Sequence, residues 1–224
     1  MAPREGRSPR TGSGRVAWRH RGGRDSTAFV RGRARVKLGA PLAHRRRHVS
    51  DRMPRSLPIR IAAATEADLS AVAELAGVVW REHYPGIITH GQIDYMLEHG
   101  YSHEALMNFV AEAGAGLLLA YAGDRLIGFG AYRRVASADE LKVEKLYVHQ
   151  EAQGQGVGSR LIARIEEAAL AQSLASLILN VNKHNVQAIR AYEKNGFVIR
   201  ESVVVDIGAG YVMDDYVMAK RLSR

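Results

Sequence analysis

Three glycines at alternate positions constrain this chain more than any other feature. They fall in Gln153-Gly154-Gln155-Gly156-Val157-Gly158, between a strand pattern over residues 141–148 and an amphipathic run over residues 159–172. In that run Leu161, Ile162, Ile165, Ala168 and Ala169 recur at helical spacing. A strand, a glycine turn and a helix in that order expose backbone amides at a helix start, where partial positive charge favours an anion. A phosphate or pyrophosphate is the expected ligand. Two other phosphate loops fail to match. No Gly-Lys-Ser/Thr follows, and Ser159 stands where a dinucleotide fingerprint needs its third glycine. The preceding strand also carries Lys142, Glu144 and Lys145, unlike a buried first Rossmann strand.

Around this centre the sequence alternates in type. Residues 58–62 read as a half-buried strand. Thr65 with Asp68 marks a helix start, followed by Leu69, Val72, Ala73, Ala76, Val79 and Trp80 at helical spacing. Thr89 with Gln92 reads as a second capping box ahead of Ile93, Met96 and Leu97, and residues 102–112 as a third short helix. A hairpin follows over residues 117–133, turning at Gly123-Asp124. Residues 177–181 form a buried strand, residues 186–194 a helix stopped by Asn195-Gly196, and residues 197–205 and 211–220 two last strands. The expectation is an α/β (α+β) fold with a mixed, mostly antiparallel central sheet flanked by helices.

The formal net charge of +9 invites a nucleic-acid or membrane partner, but it is unevenly spread. Residues 1–56 hold 16 Lys and Arg against three acids (Glu5, Asp25, Asp51), a net +13, and residues 57–224 hold 16 against 20, a net −4. The basic character therefore belongs to an Arg/Gly-rich segment, 1–56, too poor in apolar residues to order itself. Three readings of it stay open: a nucleic-acid-binding arm, an organelle transit peptide, or residues absent from the working protein, with Met53 as the start. The globular domain is expected at 57–224. With no cysteine, disulfides and thiolate chemistry are excluded. No apolar run is long enough to span a bilayer, no secretory h-region is present, and the cytoplasm is the expected location.

Leu146-Tyr147-Val148 followed by Gln153, Gly156 and Gly158 resembles the first signature of the GNAT family of N-acetyltransferases. Asn185-Val186-Gln187-Ala188, Tyr192-Glu193-Lys194 and Gly196-Phe197 resemble its second. The resemblance covers about residues 57–222 and implies a GNAT-like fold and transfer of an acetyl group from acetyl-CoA to a primary amine. It further implies that the fourth and fifth strands splay to admit the pantetheine arm, which the backbone of Leu146, Tyr147 and Val148 would hold. The amides of Gln153, Gly154, Gln155, Gly156, Val157, Gly158 and Ser159 would hold the pyrophosphate. Tyr192 matches the family's general acid, and Asn185 matches a residue that contacts CoA and also suits a helix N-cap.

The general base is less constrained. Strand alternation would put Glu140, Lys142, Glu144 and Leu146 on one face, making Glu144 the first candidate and Glu140 the second, directly or through water. A surface Glu paired with Lys142 or Lys145 is the competing reading. The acceptor side is expected on the first two helices and the last loop, where Trp80, His83, Tyr84, His90, Tyr95, His99 and Tyr101 concentrate. Asp214-Asp215 would attract a cationic amine or face water. No residue cluster argues for a metal. A small-molecule, polyamine-like amine is the leading acceptor. A protein N-terminus or lysine, and a non-catalytic acyl-CoA-binding module with a nucleic-acid arm, are the alternatives. A homodimer is compatible with the resemblance.

Overall fold

A computed structural model describes residues 58–223; the segment expected as a disordered arm, 1–56, lies outside them. Strand β1 (Ile59–Ala63) leads through a 3-10 turn into α1 (Leu69–His83), α2 (His90–Gly100) and α3 (His103–Ala111). Then come β2 (Gly116–Ala122), β3 (Arg125–Arg134), β4 (Glu140–Val148), α4 (Val157–Ala171), β5 (Ser176–Asn182), α5 (Val186–Lys194), β6 (Val198–Gly208) and β7 (Tyr211–Arg221). The seven strands form one sheet in the order β1-β2-β3-β4-β5-β7-β6. Every neighbouring pair is antiparallel except β4 with β5. The mixed, mostly antiparallel sheet expected from the sequence is present.

The helix caps follow local chemistry. Asp68 takes the Thr65 amide at 2.8 Å, Thr89 accepts from the Gln92 amide at 3.2 Å, and Ser102 accepts from the Ala105 amide at 3.2 Å. The expected reciprocal half of the Thr89–Gln92 box is not made. The Gln92 side chain is buried and instead donates to the Val212 carbonyl on β7 at 2.8 Å.

The two faces of the sheet carry separate cores. On one face α4 lays Val157, Leu161, Ile162, Ile165 and Ala169 against Leu118, Ala120, Leu141, Val143, Leu177, Leu179 and Met218. On the other, α1 packs Leu69, Val72, Ala76, Val79 and Trp80 with Leu106 and Phe109 of α3 against Leu117, Leu119, Phe129 and Ala131. β2 is buried from both sides, which is why it reads as a continuous apolar run rather than an alternating one.

β4 departs from simple alternation. Ala131 pairs with Lys145 but Tyr132 pairs with Val143, so Glu144 is an extra residue, a β-bulge. Before it Leu141 and Val143 face α4; after it Leu146 and Val148 do. Glu144 and Lys145 both turn to the α1–α3 face, where Glu144 reaches Arg133 and Lys142 and Lys145 lies over the Tyr101 ring. The expectation that Glu144 shares a face with Leu146 is therefore corrected by one inserted residue. Glu140 sits at the far end of the strand, bound by Arg200 at 2.7 Å and Ser176 at 3.3 Å.

Gly128 of β3 sits tightly between β4 and the start of α4. A Cβ there would lie 2.9 Å from the Tyr147 carbonyl and 3.3 Å from Val157. Gly128→Ala should cost about 1–3 kcal/mol through this overpacking. A lowered denaturant midpoint at unchanged m-value checks it, and an unchanged midpoint would show that β3 and β4 can part there freely.

Candidate active site

β4 and β5 stay paired only from Glu140–Ser176 to Val143–Leu179. Beyond that point residues 144–148 keep β3 as a partner, while β5 turns to β7 alone. The strand edge of Leu146, Tyr147 and Val148 is thus unpaired on the β5 side, and the two strands part toward their C-terminal ends. An extended ligand can add to such an edge through main-chain hydrogen bonds.

The glycine loop lies at the same end. Gly154 and Gly156 adopt φ of +74° and +79°, and a Cβ on either would meet nothing within 4 Å. Both are required by the backbone and not by crowding. α4 begins at Val157, two residues before Ser159, with Gly156 as its N-cap and no side chain capping it. The first-turn amides of Val157, Gly158 and Ser159 are left for an anion. The glutamines hold the loop's shape: Gln153 Nε2 donates to the Val148 carbonyl at 3.3 Å and Gln155 Nε2 to the Glu151 carbonyl at 2.9 Å. Gln187 of α5 donates to Gln153 Oε1 at 3.0 Å.

Asn185 caps α5, its Oδ1 accepting from the Ala188 amide at 3.2 Å, and it lies 3.1 Å from His83 Nε2 at the end of α1. A shallow cleft lies here, between Val79, Glu82 and His83 on one side and Gln150, Gln153 and Gln187 on the other. Tyr192, on α5, is half-buried against the α4-side core and packs edge-on to Phe197. Burial pushes its phenol up to about 12, so it stays protonated throughout the physiological range.

On the opposite face, aromatic packing absorbs most of the residues expected to line an acceptor pocket. Trp80 stacks on Tyr84 at 4.3 Å between ring centres and donates to the Tyr101 hydroxyl at 2.9 Å. Tyr147 joins them beside Phe129, and burial raises the Tyr84 and Tyr147 phenols well above the ordinary tyrosine value. Lys145 inserts beneath α3, its ammonium 4.3 Å from the Tyr101 ring centre, and burial lowers it to about 8. Glu144 is not a free carboxylate: Oε2 lies 3.1 Å from Lys142 Nζ and Oε1 lies 3.7 Å from Arg133 Nε. The competing sequence reading, an ion-paired Glu, matches this arrangement.

α2 is strapped across to the β6–β7 hairpin. Besides Gln92 to Val212, Tyr95 donates to the Ile207 carbonyl at 2.7 Å, and its ring lies 4.1 Å from His99 and 5.4 Å from Tyr211. His90 caps nothing here and starts α2. Asp214 pairs with Lys183 at the surface side, whereas Asp215 turns inward and is only 5% exposed. Among the described residues no group of three or more His, Asp or Glu side chains is placed to hold a metal ion.

The family described as acetyltransferase (GNAT) matches residues 74–197, from the middle of α1 to the end of α5. The chain belongs to this family. This GNAT acetyltransferase is 26% identical over 162 residues to a spermidine N(1)-acetyltransferase of Thermoplasma acidophilum, covering 70% of this chain and 97% of that one. It is 29% identical over 143 residues to a probable N-acetyltransferase of Mycobacterium tuberculosis, covering 63% and 80%. Among solved structures it resembles the PaiA N-acetyltransferase of T. acidophilum in complex with coenzyme A, with a TM-score of 0.65 and 25% identity, over 74% of this chain and all of that one. A GNAT-type structure from Rhodopseudomonas palustris shares the fold, with a TM-score of 0.62 and 20% identity over 76% and 99%.

Sequence reasoning missed three features of this acetyltransferase: the bulge at Glu144, the strap made by Gln92 and Tyr95, and the burial of Asp215. The Gln92 contact had a legible signal, a polar residue on the apolar face beside Ile93 and Met96. Gln92→Ala should leave the Val212 carbonyl without its donor and cost about 1 kcal/mol. Amide exchange over residues 207–212 should quicken relative to that in β2 and β3; equal protection in both would show that the strap is not what holds the hairpin.

Proposed function

We propose that this GNAT acetyltransferase moves the acetyl group of acetyl-CoA to a small primary amine of polyamine type. One observation carries the reading: the uncapped start of α4, behind two left-handed glycines, lies beside the strand edge that β5 abandons. A long ligand that is anionic in its middle and extended at one end fits this pair of features. The Gln153 amide already donates to the Gln150 carbonyl at 3.2 Å, so the amides of residues 154–159 would hold the pyrophosphate, and the backbone of Leu146, Tyr147 and Val148 would hold the pantetheine arm. Asn185 and Gln187, beside that loop, would meet the ligand where α5 approaches α1.

Acetyl-CoA supplies the acetyl group as an activated thioester. The chain's part is to position it, exclude water and handle protons. Tyr192 is the group assigned to the departing sulfur. With its phenol near 12, outright proton transfer to an ordinary thiolate is uphill by roughly 3–4 pKa units. Its role is therefore that of a fixed hydrogen-bond donor to sulfur as charge develops there.

Two facts support a small amine over an extended peptide. α2 is tied to the β6–β7 hairpin, which would narrow an acceptor side built there, and the Thermoplasma relative is named for spermidine. The reading is tested by thiol release from acetyl-CoA over a panel of polyamines, simple amines and peptide N-termini. Polyamines should be the best acceptors; faster turnover of a peptide would transfer the reading to protein acetylation. Tyr192→Phe should lower kcat on the order of 10²-fold with CoA affinity within a factor of about two. Equal loss of folding and activity would instead make Tyr192 a packing residue.

A further inference from the structure

Asp215 is the least explained charge in the fold. It is 5% exposed, and its Oδ1 is fully buried without a hydrogen-bond partner. It lies on β7 opposite Asn182, and Asn180 of β5 stands beside the carboxyl. Tyr216 and Met218 on β7, Leu179 and Val181 on β5, and Leu141 and Val143 on β4 all face α4. Asp215, Asn180 and Lys142 alternate with them and share the opposite face, the one crossed by the α2 strap. β4 and β5 part after Val143 and Leu179, so Asn180 is the first β5 residue past the parting and Asp215 pairs two positions further along.

A buried carboxyl oxygen left without a donor is costly to a fold. An ammonium group is the donor whose charge and N–H bonds answer both deficits. We propose that Asp215 binds the ammonium of the acceptor amine and takes its proton, making it the base of this acetyltransferase in place of Glu144. This rests on the acetyl-transfer reading above. One N–H bond of the ammonium breaks, and its proton passes to Asp215 Oδ1. The freed lone pair forms the C–N bond to the thioester carbonyl carbon as the C–S bond breaks. The nitrogen's second proton leaves to solvent as the amide forms, Asp215 returns its proton to solvent, and the sulfur, held by Tyr192, is reprotonated from solvent.

The surroundings suit the task. Burial is the main cause that raises the Asp215 carboxyl from the ordinary range to about 6, opposed by the neighbouring Asn180 amide, Lys142 and Lys183 and helped by Asp214. The Tyr84 phenol also faces it from the end of α1. Lys183 is engaged by Asp214, and Lys142 by Glu144. A base near 6 is ionised at neutral pH yet still holds a proton well enough to pull one from an amine. Folding disfavours the ionised form, so the protein loses stability as pH rises from about 4 through about 6 and does not regain it above.

The test uses the full chain with acetyl-CoA and spermidine. Asp215→Asn should lower kcat and kcat/KM by on the order of 10²-fold or more, abolish the acidic limb of the pH–rate profile near 6, and leave CoA affinity unchanged. Glu144→Gln should stay within a few fold of the parent. In thermal melts without substrates, Asp215→Asn should be the more stable protein at pH 8, the gap closing below about pH 4. Asp215→Ser serves as a second variant with the same expected direction in rate. Retained rate and profile in both variants, or a stability gap independent of pH, overturns the proposal. If the parent enzyme turns over no amine at all, the acetyl-transfer reading fails, and the pH dependence of the melts still decides whether Asp215 is a buried titrating carboxyl.

Discussion

The molecule is organised by the divided partnership of β4. It is antiparallel to β3 along most of its length but parallel to β5 for only four residues. A parallel neighbour needs a crossover, and α4 is that crossover. Because α4 starts where β4 ends, its N-terminus is delivered to the end of the sheet at which the two strands part. A helix start with uncapped amides and an unpaired strand edge thus arise together from one topological choice, as ligand sites in open α/β sheets arise at the carboxyl ends of strands. The glycines complete it: φ of +74° and +79° at Gly154 and Gly156 turn the chain tightly from strand to helix without a side chain over the amides.

The bulge at Glu144 is the second consequence of a strand that must serve two neighbours. By inserting one residue it sends Glu144 and Lys145 to the same face and hands Leu146 and Val148 to the α4 core. Two charged side chains enter a face otherwise built of Trp80, Tyr101, Phe109, Phe129 and Tyr147. The fold meets that charge locally, with Lys142 and Arg133 around Glu144 and aromatic rings around Lys145. The aromatic cluster is therefore scaffold: its hydroxyls and indole bond one another, fixing α1 and α3 on the sheet and leaving the end of α1 to meet α5 through His83 and Asn185.

Most of the fold was legible because its signals are local. Thr65, Thr89 and Ser102 cap their helices by short-range hydrogen bonds, and the alternate glycines declare a turn whatever lies around them. The expectation of an anion at the start of α4 belongs to the same class. What was not legible depends on neighbours distant in sequence. Alternation along β4 cannot reveal an inserted residue, because the bulge is defined by the register against β3. Gln92 looks like half of a capping box until Val212 arrives from 120 residues away. Asp214 and Asp215 are indistinguishable as a dipeptide; the pleat of β7 sends one to Lys183 and the surface and the other beneath the strap.

Buried polar atoms without a hydrogen-bond partner lie on one face of the sheet. Among the described residues two buried side-chain atoms lack a hydrogen-bond partner, Arg133 Nε and Asp215 Oδ1. Arg133 lies over Phe109, so both atoms belong to the face opposite α4. The α4 face, with a larger apolar core, holds none. Arg133 Nε lies 3.7 Å from Glu144 Oε1 within an ion pair, so the uncompensated atom is Asp215 Oδ1, which costs about 1–3 kcal/mol, a sizeable share of the net stability of a domain this size. Whereas Arg133 pairs with Lys142 inside the stretch where β4 and β5 are still joined, Asp215 lies past the point where they part. An amine entering there would supply the donor that Asp215 lacks, and in doing so would recover part of the stability the empty arrangement forgoes.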